Sequence, residues 1–164
     1  MPQLSAAGSG KISIMMDIEL EGILSLPVKK ILFVGIGNVL KSDDGVGVYI
    51  CRNLKNRKKI LSLTAEVSIE NYIGKINKIN SDLLVIIDCV DMNSNPGFYK
   101  VFKADQIADM TFNTHNISLN RLSEFFKMKI FILGIQPDNV NFGETLTDSV
   151  LKSANEIISI INKD

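Results

Sequence analysis

Uninterrupted apolar runs alternate along the chain with segments in which apolar residues recur at helical spacing. Residues 31–34 and 83–87 are continuous apolar runs, which is typical of strands covered on both faces of a sheet. Helices are expected from residue 46 to about 56 and at residues 73–79. The pattern also predicts a short helix within residues 12–26, strands at 65–69, 98–102 and 130–135, and helices at about 118–127 and 145–161.

This alternation predicts a three-layer α/β/α fold with a mostly parallel central sheet plus one antiparallel strand. The turn Asn95-Pro96-Gly97 keeps residues 98–102 close in sequence to the strand of residues 83–88, so we expect those two strands to pair antiparallel. Residues 1–28 are interpreted as a leader segment, small and polar at first, whose helix ends at Pro27. Residues 29–164 are expected to form a single α/β domain.

Composition narrows the function classes. The chain has 164 residues, of which 46% are hydrophobic, enough for one domain with a substantial core. The chain has 18 lysine and arginine residues and 18 aspartate and glutamate residues, so it carries no excess of positive charge. This balance and the absence of tryptophan both disfavour a nucleic-acid partner. The two cysteines are too few for a disulfide framework, and no apolar run is long enough to span a membrane. We therefore expect a cytoplasmic monomer without a membrane or nucleic-acid partner.

A glycine-containing loop that ends in two acids joins the first strand to the following helix. It runs from Gly35 to Gly45 and carries Asp43 and Asp44 directly before the helix. A loop that cradles phosphate would not aim a carboxylate at its anion, so these acids favour a metal ion. The spacing also fails the dinucleotide fingerprint, whose third glycine would fall at Leu40. The simpler interpretation is that either acid caps the helix.

Two further candidate ligands lie in predicted loops. Asp88 ends the apolar strand of residues 83–87, and His115 is the only histidine of the chain. Asp44, Asp88 and His115 would all lie at one edge of the sheet if its strands are parallel. Two carboxylates and an imidazole suit a divalent ion and leave positions open for water or substrate. The alternatives are a turn residue at Asp88 and an ordinary surface histidine at His115.

Nucleophilic catalysis has weaker support. Cys89 follows Asp88 in an extended strand, so the two side chains point to opposite faces and Cys89 is expected in the core. Cys51 lies in a predicted helix with neither a histidine nor an acid at matching spacing. No Gly-x-Ser-x-Gly motif is present.

Four motifs in this order along the chain resemble those of the [NiFe]-hydrogenase maturation endopeptidases, in particular the branch that processes the hydrogenase 3 large subunit of formate hydrogenlyase. The motifs are Gly35-Ile36-Gly37-Asn38 with Asp43-Asp44-Gly45, Ile87-Asp88-Cys89-Val90-Asp91-Met92 through Asn95-Pro96-Gly97, Thr114-His115-Asn116 with Leu119-Asn120, and Leu133-Gly134-Ile135-Gln136-Pro137-Asp138. The resemblance implies that Asp44, Asp88 and His115 are both the metal ligands and the catalytic residues. It leaves Asp43 as the helix cap.

The resemblance also implies an activity, namely removal of a C-terminal extension from a [NiFe]-hydrogenase large-subunit precursor after nickel insertion. Nickel would arrive with the precursor, and another divalent metal could take its place. Either the metal polarises the scissile carbonyl, or a carboxylate activates water as a general base. A nickel chaperone that cleaves nothing and a Rossmann-like nucleotide-binding enzyme are the competing hypotheses.

Overall fold

The protein forms a five-stranded, mostly parallel sheet with helices on both faces. The computed structural model describes residues 19–104, 121 and 123–163. The strands are β1 (Ile31–Ile36), β2 (Ile60–Glu66), β3 (Leu83–Cys89), β4 (Tyr99–Lys103) and β5 (Lys129–Ile135). Their order is β2-β1-β3-β5-β4, and only the β4–β5 pair is antiparallel. The predicted fold class is thus confirmed.

In the part of the chain that the structure describes, four helices of six or more residues cover the sheet in two layers. They are α1 (residues 19–24), α2 (Val46–Asn53), α3 (Ile73–Ile79) and α4 (Asp148–Lys163), and two short 3-10 helices precede α2 and α3 at Ser42–Gly45 and Ile69–Tyr72. Apolar side chains of α1, α2 and α4 pack on one face of the sheet, and those of α3 pack on the other. Within the described part of the chain, no helix has the length and apolar character needed to cross a bilayer.

The two continuous apolar runs, at residues 31–34 and 83–87, lie in the adjacent strands β1 and β3. Every residue of β1 and of β3 is buried, as expected for parallel strands that have helices on both sides. Side chains alternate between the two layers, so Leu84 and Ile86 join the α3 side, whereas Val85 and Ile87 join the opposite side. The carboxyl ends of both strands therefore lie side by side at one edge of the sheet.

Two strand predictions were wrong. The second strand lies at Ile60–Glu66 rather than at residues 65–69, because it pairs with β1 from Ile31 onward and Glu66 then leaves extended geometry with φ 51°. The strand after Asn95-Pro96-Gly97 is antiparallel, but its partner is β5 and not β3. β1 and β5 occupy the two sides of β3, so β4 cannot pair with β3 and adds to the outer side of β5 instead.

The described part of the predicted leader begins with a helix whose apolar side chains are buried. Leu20, Ile23 and Leu24 of α1 pack into the same apolar cluster as α2 and α4. The earlier part of that predicted helix, and residues 118–120 and 122 of the one at 118–127, lie outside the described residues. Residues 124–127 are described and are not helical. The division at residue 28 stays a prediction.

Two glycines allow α2 to lie directly on the sheet. A Cβ atom on Gly35 of β1 would lie 2.1 Å from the carbonyl oxygen of Gly47. A Cβ atom on Gly47 would lie 2.1 Å from the carbonyl oxygen of Ile87 in β3 and 2.7 Å from that of Ile36. Since backbone atoms cannot move aside as a side chain can, both positions require glycine.

We expect Gly47→Ala to lower the free energy of unfolding by about 3 kcal/mol or to prevent folding, because the added methyl group meets two backbone carbonyls. Gly74→Ala in α3 is the matched control, since nothing lies within 4 Å of its Cβ position. That control should raise stability by about 0.5–1 kcal/mol through helix propensity. Urea unfolding of both variants is the measurement, and equal effects would contradict the packing argument.

Candidate active site

Asp44 lies in the 3-10 helix that follows the loop after β1, and its side chain folds back on that loop. Asp44 is buried, and its Oδ2 accepts a hydrogen bond of 2.9 Å from the backbone N–H of Asn38. Gly37 has φ 134°, and a Cβ atom there would lie 1.8 Å from the carbonyl oxygen of Asp44. The backbone of the loop therefore contacts both the side chain and the carbonyl group of Asp44. An N–H that a phosphate-binding loop would direct at a ligand is occupied by Asp44, which disfavours the nucleotide-binding alternative.

Asp88 is the sixth residue of β3 and is fully buried at the end of that strand. Its Oδ1 accepts a hydrogen bond of 2.8 Å from the backbone N–H of Cys89. The 3-10 helix with Asp44 contacts β3, and the Gly47 backbone lies against Ile87, the residue before Asp88. The structure thus places Asp44 and Asp88 on touching elements at the carboxyl edge of the sheet.

The third predicted ligand, His115, lies outside the described residues. Within residues 19–104, 121 and 123–163, no three histidine, cysteine or acidic side chains are grouped closely enough to hold a metal ion. The metal-binding and catalytic roles of Asp44, Asp88 and His115 accordingly stay predictions. What the structure adds is that two carboxylates lie buried at one edge of the sheet, where charge is costly without compensation.

Asp43 does not cap the helix that follows it, which corrects the sequence-based assignment. Neither the 3-10 helix nor α2 has a side-chain cap. Asp43 is instead buried and accepts four hydrogen bonds from the segment between β5 and α4. The donors are the N–H groups of Asp138 (2.9 Å), Asn139 (2.9 Å) and Thr147 (2.7 Å) and the Thr147 hydroxyl (2.8 Å). Asp43 therefore links the loop after β1 to the segment after β5.

Gln136, at the end of β5, organises the loop after Asp88. Its Oε1 accepts hydrogen bonds from the N–H groups of Met92 (2.6 Å) and Ser94 (3.3 Å), and its Nε2 donates to Asp91 at 3.2 Å. The bonds from Asn93 N–H and from Gln136 lower the pKa of Asp91, so the stability they add is lost only as the pH falls through that lowered value. Sequence reasoning found Gln136 only inside a motif and assigned it no role.

The cysteines are unsuited to nucleophilic catalysis. Cys89 packs in the core beside Ile87, as predicted, and Cys51 is buried in α2. Burial raises the pKa of the Cys51 thiol, which keeps it protonated at neutral pH.

The comparisons with known proteins decide the family. The family model described as HycI, hydrogenase maturation protease, matches residues 48–164, a range that includes Asp88 and His115 and begins after Asp44. The chain belongs to the hydrogenase maturation protease family. It is therefore a peptidase, and the resemblance in its motifs is confirmed.

Known relatives agree with this family assignment in both sequence and fold. The hydrogenase 3 maturation protease of Escherichia coli K12 is 33% identical over 121 residues, which cover 70% of this chain and 78% of the relative. The solution structure of the endopeptidase HycI from Escherichia coli superposes with a TM-score of 0.73 at 28% identity, covering 82% of this chain and 90% of that one. The [NiFe] hydrogenase maturation protease HycI from Thermococcus kodakarensis KOD1 shares the fold, with a TM-score of 0.77 at 24% identity over 88% and 96% of the two chains.

We expect Asp43→Asn to lower the free energy of unfolding by about 2–3 kcal/mol, since an amide nitrogen cannot accept from the N–H groups that the carboxylate binds. Asp138→Asn is the matched control, because that side chain is exposed, and its effect should stay within about 0.5 kcal/mol. Chemical denaturation compares the two variants. Equal stability would show that Asp43 is dispensable for joining the loops.

Proposed function

We propose that this hydrogenase maturation protease removes the C-terminal extension of a [NiFe]-hydrogenase large-subunit precursor after nickel has been inserted. Asp44, Asp88 and His115 bind the nickel that the precursor carries, and the reaction takes place in the cytoplasm with the protease as a monomer. The observation that supports this most directly is the placement of Asp44 and Asp88, both buried, on touching elements at one edge of the sheet.

Electrostatics explains why nickel would act as a signal that the precursor is ready. Two carboxylates in a buried site repel each other unless a cation lies between them. A nickel ion held by the precursor would supply that cation when the substrate binds, while oxygen and imidazole ligands complete its coordination. Metal-loaded precursor is then favoured over empty precursor without any change in the peptide to be cut.

Two chemical routes are compatible with this arrangement. The nickel could polarise the scissile carbonyl, in which case Asp44 and Asp88 act by holding the ion against the peptide. Alternatively, one carboxylate could accept a proton from water as the water attacks that carbonyl. In either route the ion and the three side chains fix the peptide bond relative to the attacking group, which accounts for much of the rate enhancement in such reactions.

Wild-type protein should cleave nickel-loaded precursor and leave nickel-free precursor intact. The reason is that the paired carboxylates at the sheet edge lack a shared cation in the nickel-free complex. Intact-mass analysis of both precursors after incubation is the measurement. Equal cleavage would reject metal-dependent recognition, and binding of nickel-loaded precursor without any loss of mass would identify a chaperone instead.

Asp88→Asn keeps the shape of the side chain but removes its charge, so we expect cleavage of nickel-loaded precursor to fall by about 100-fold or more. His115→Ala should cause a loss of similar size, because we propose His115 as the third ligand. Asp91→Asn is the matched control, since Asp91 is exposed and lies three residues beyond Asp88 in the same segment. Cleavage rates, measured together with unfolding temperatures, separate loss of a ligand from loss of fold. Full activity of Asp88→Asn would remove that residue from the site.

A further inference from the structure

Two loops at the carboxyl edge of the sheet are joined into one unit. The Gly143 N–H donates to the carbonyl oxygen of Leu40 at 2.9 Å, and the Ser42 N–H donates to the carbonyl oxygen of Gly143 at 2.7 Å. The Ser42 hydroxyl also donates to the carbonyl oxygen of Asn141 at 3.1 Å. Together with the four bonds to Asp43, these contacts hold the segment after β5 against the loop with Asp44.

This joined unit presents apolar side chains to solvent. Of the five large hydrophobic residues that are exposed in the described part of the chain, three lie on these two loops, and they are Leu40, Val140 and Phe142. Phe142 is 83% exposed although the backbone on both sides of it is hydrogen-bonded. Single exposed apolar residues are common on protein surfaces, but a rigid group beside a candidate active site is typical of an interaction surface.

A cavity of about 410 Å³ is built from the same two loops and the helices behind them. Val39, next to Leu40, contributes to its wall, and so do Glu144 and Thr145, which follow Phe142 closely. Ser42 and Gly45 also line it, and these residues flank Asp43 and Asp44 in the chain. Tyr49, Leu146 and Leu151 make its inner surface largely apolar. Its volume lies in the range of sites that hold small ligands or short peptide segments.

We propose that Leu40, Val140, Phe142 and this cavity form the docking surface for the precursor, and that the cavity takes an apolar side chain of a precursor segment near the cleaved bond. The inference rests on the proposed function. It is supported by continuity with the candidate site, because the backbone that carries Asp44 also forms the cavity wall. A protease must hold a protein substrate on surfaces around the cleaved bond, and this surface is preorganised, so little ordering entropy is lost on binding.

Affinity for nickel-free precursor is the quantity that tests this surface. Apolar contacts do not require nickel, so we expect that precursor to bind, more weakly than nickel-loaded precursor, without being cut. Isothermal titration calorimetry with the full chain should show an affinity about tenfold lower for Phe142→Ser than for wild type. Phe125→Ser is the matched control, since Phe125 is 56% exposed but precedes β5 and so lies at the opposite edge of the sheet. Its affinity should equal that of wild type.

A second pair of variants tests the cavity itself. Thr145→Trp places a bulky side chain in the cavity wall from an exposed position and should also weaken binding about tenfold. Ser159→Trp adds the same side chain on the exposed face of α4 outside the cavity and should bind as wild type does.

Three outcomes would overturn the docking proposal. They are unchanged affinity in both Phe142→Ser and Thr145→Trp, no measurable binding of nickel-free precursor by wild type, or a wild-type dimer that Phe142→Ser converts to a monomer without changing precursor affinity. The last outcome would identify a surface for a second copy of this chain. Cleavage of nickel-loaded precursor by wild type is measured separately, so failure of the proposed function remains distinguishable from failure of the docking surface.

Discussion

The contact between the backbones of Gly35 and Gly47 determines what lies at the carboxyl edge of the sheet. Because neither residue has a Cβ atom, α2 approaches β1 and β3 so closely that its first turn touches the backbone of both strands. Asp44 comes three residues before Gly47, and Asp88 directly follows Ile87, whose carbonyl oxygen Gly47 meets. One close packing contact therefore carries both buried carboxylates to the same place.

Two adjacent acids in this fold have different tasks. The side chain of Asp43 accepts four hydrogen bonds from the segment between β5 and α4, whereas the side chain of Asp44 accepts one from the loop that carries it. Asp43 thus fixes the geometry around Asp44. Asp43, buried among hydrogen-bond donors, provides the rigidity that the metal-binding role proposed for Asp44 requires.

The innermost elements were predictable from sequence, whereas their neighbours depended on tertiary contacts. β1 and β3 are continuous apolar runs, and α3 has clear helical spacing, so each carries its own signal. The position of β2 and the partner of β4 depend instead on which strand edge is available for pairing, and no local sequence pattern indicates which edge that is.

The same reasoning applies to the site. The location of Asp44 and Asp88 at one edge of the sheet was predictable, because Asp88 ends one parallel strand and Asp44 lies in the segment after another. The true partners of Asp43 lie 95 or more residues away and left no signal near it. The packing role of Gly47 was not predicted either. A glycine within a helical pattern indicates only a weaker helix until the backbone that it packs against is known.

The hydrogen bonds of Asp43 affect the order in which the protein folds during its synthesis on the ribosome. Their donors belong to residues 138–147, which follow Asp43 by 95 or more residues. The glycine contact of α2 involves only the first 90 residues, so this half of the edge can form while translation continues. The joined loops, in contrast, can form only after residues 138–147 have emerged. Since long-range contacts form late, a nascent chain can pair β1, β2 and β3 before the loop with Asp44 is held in place.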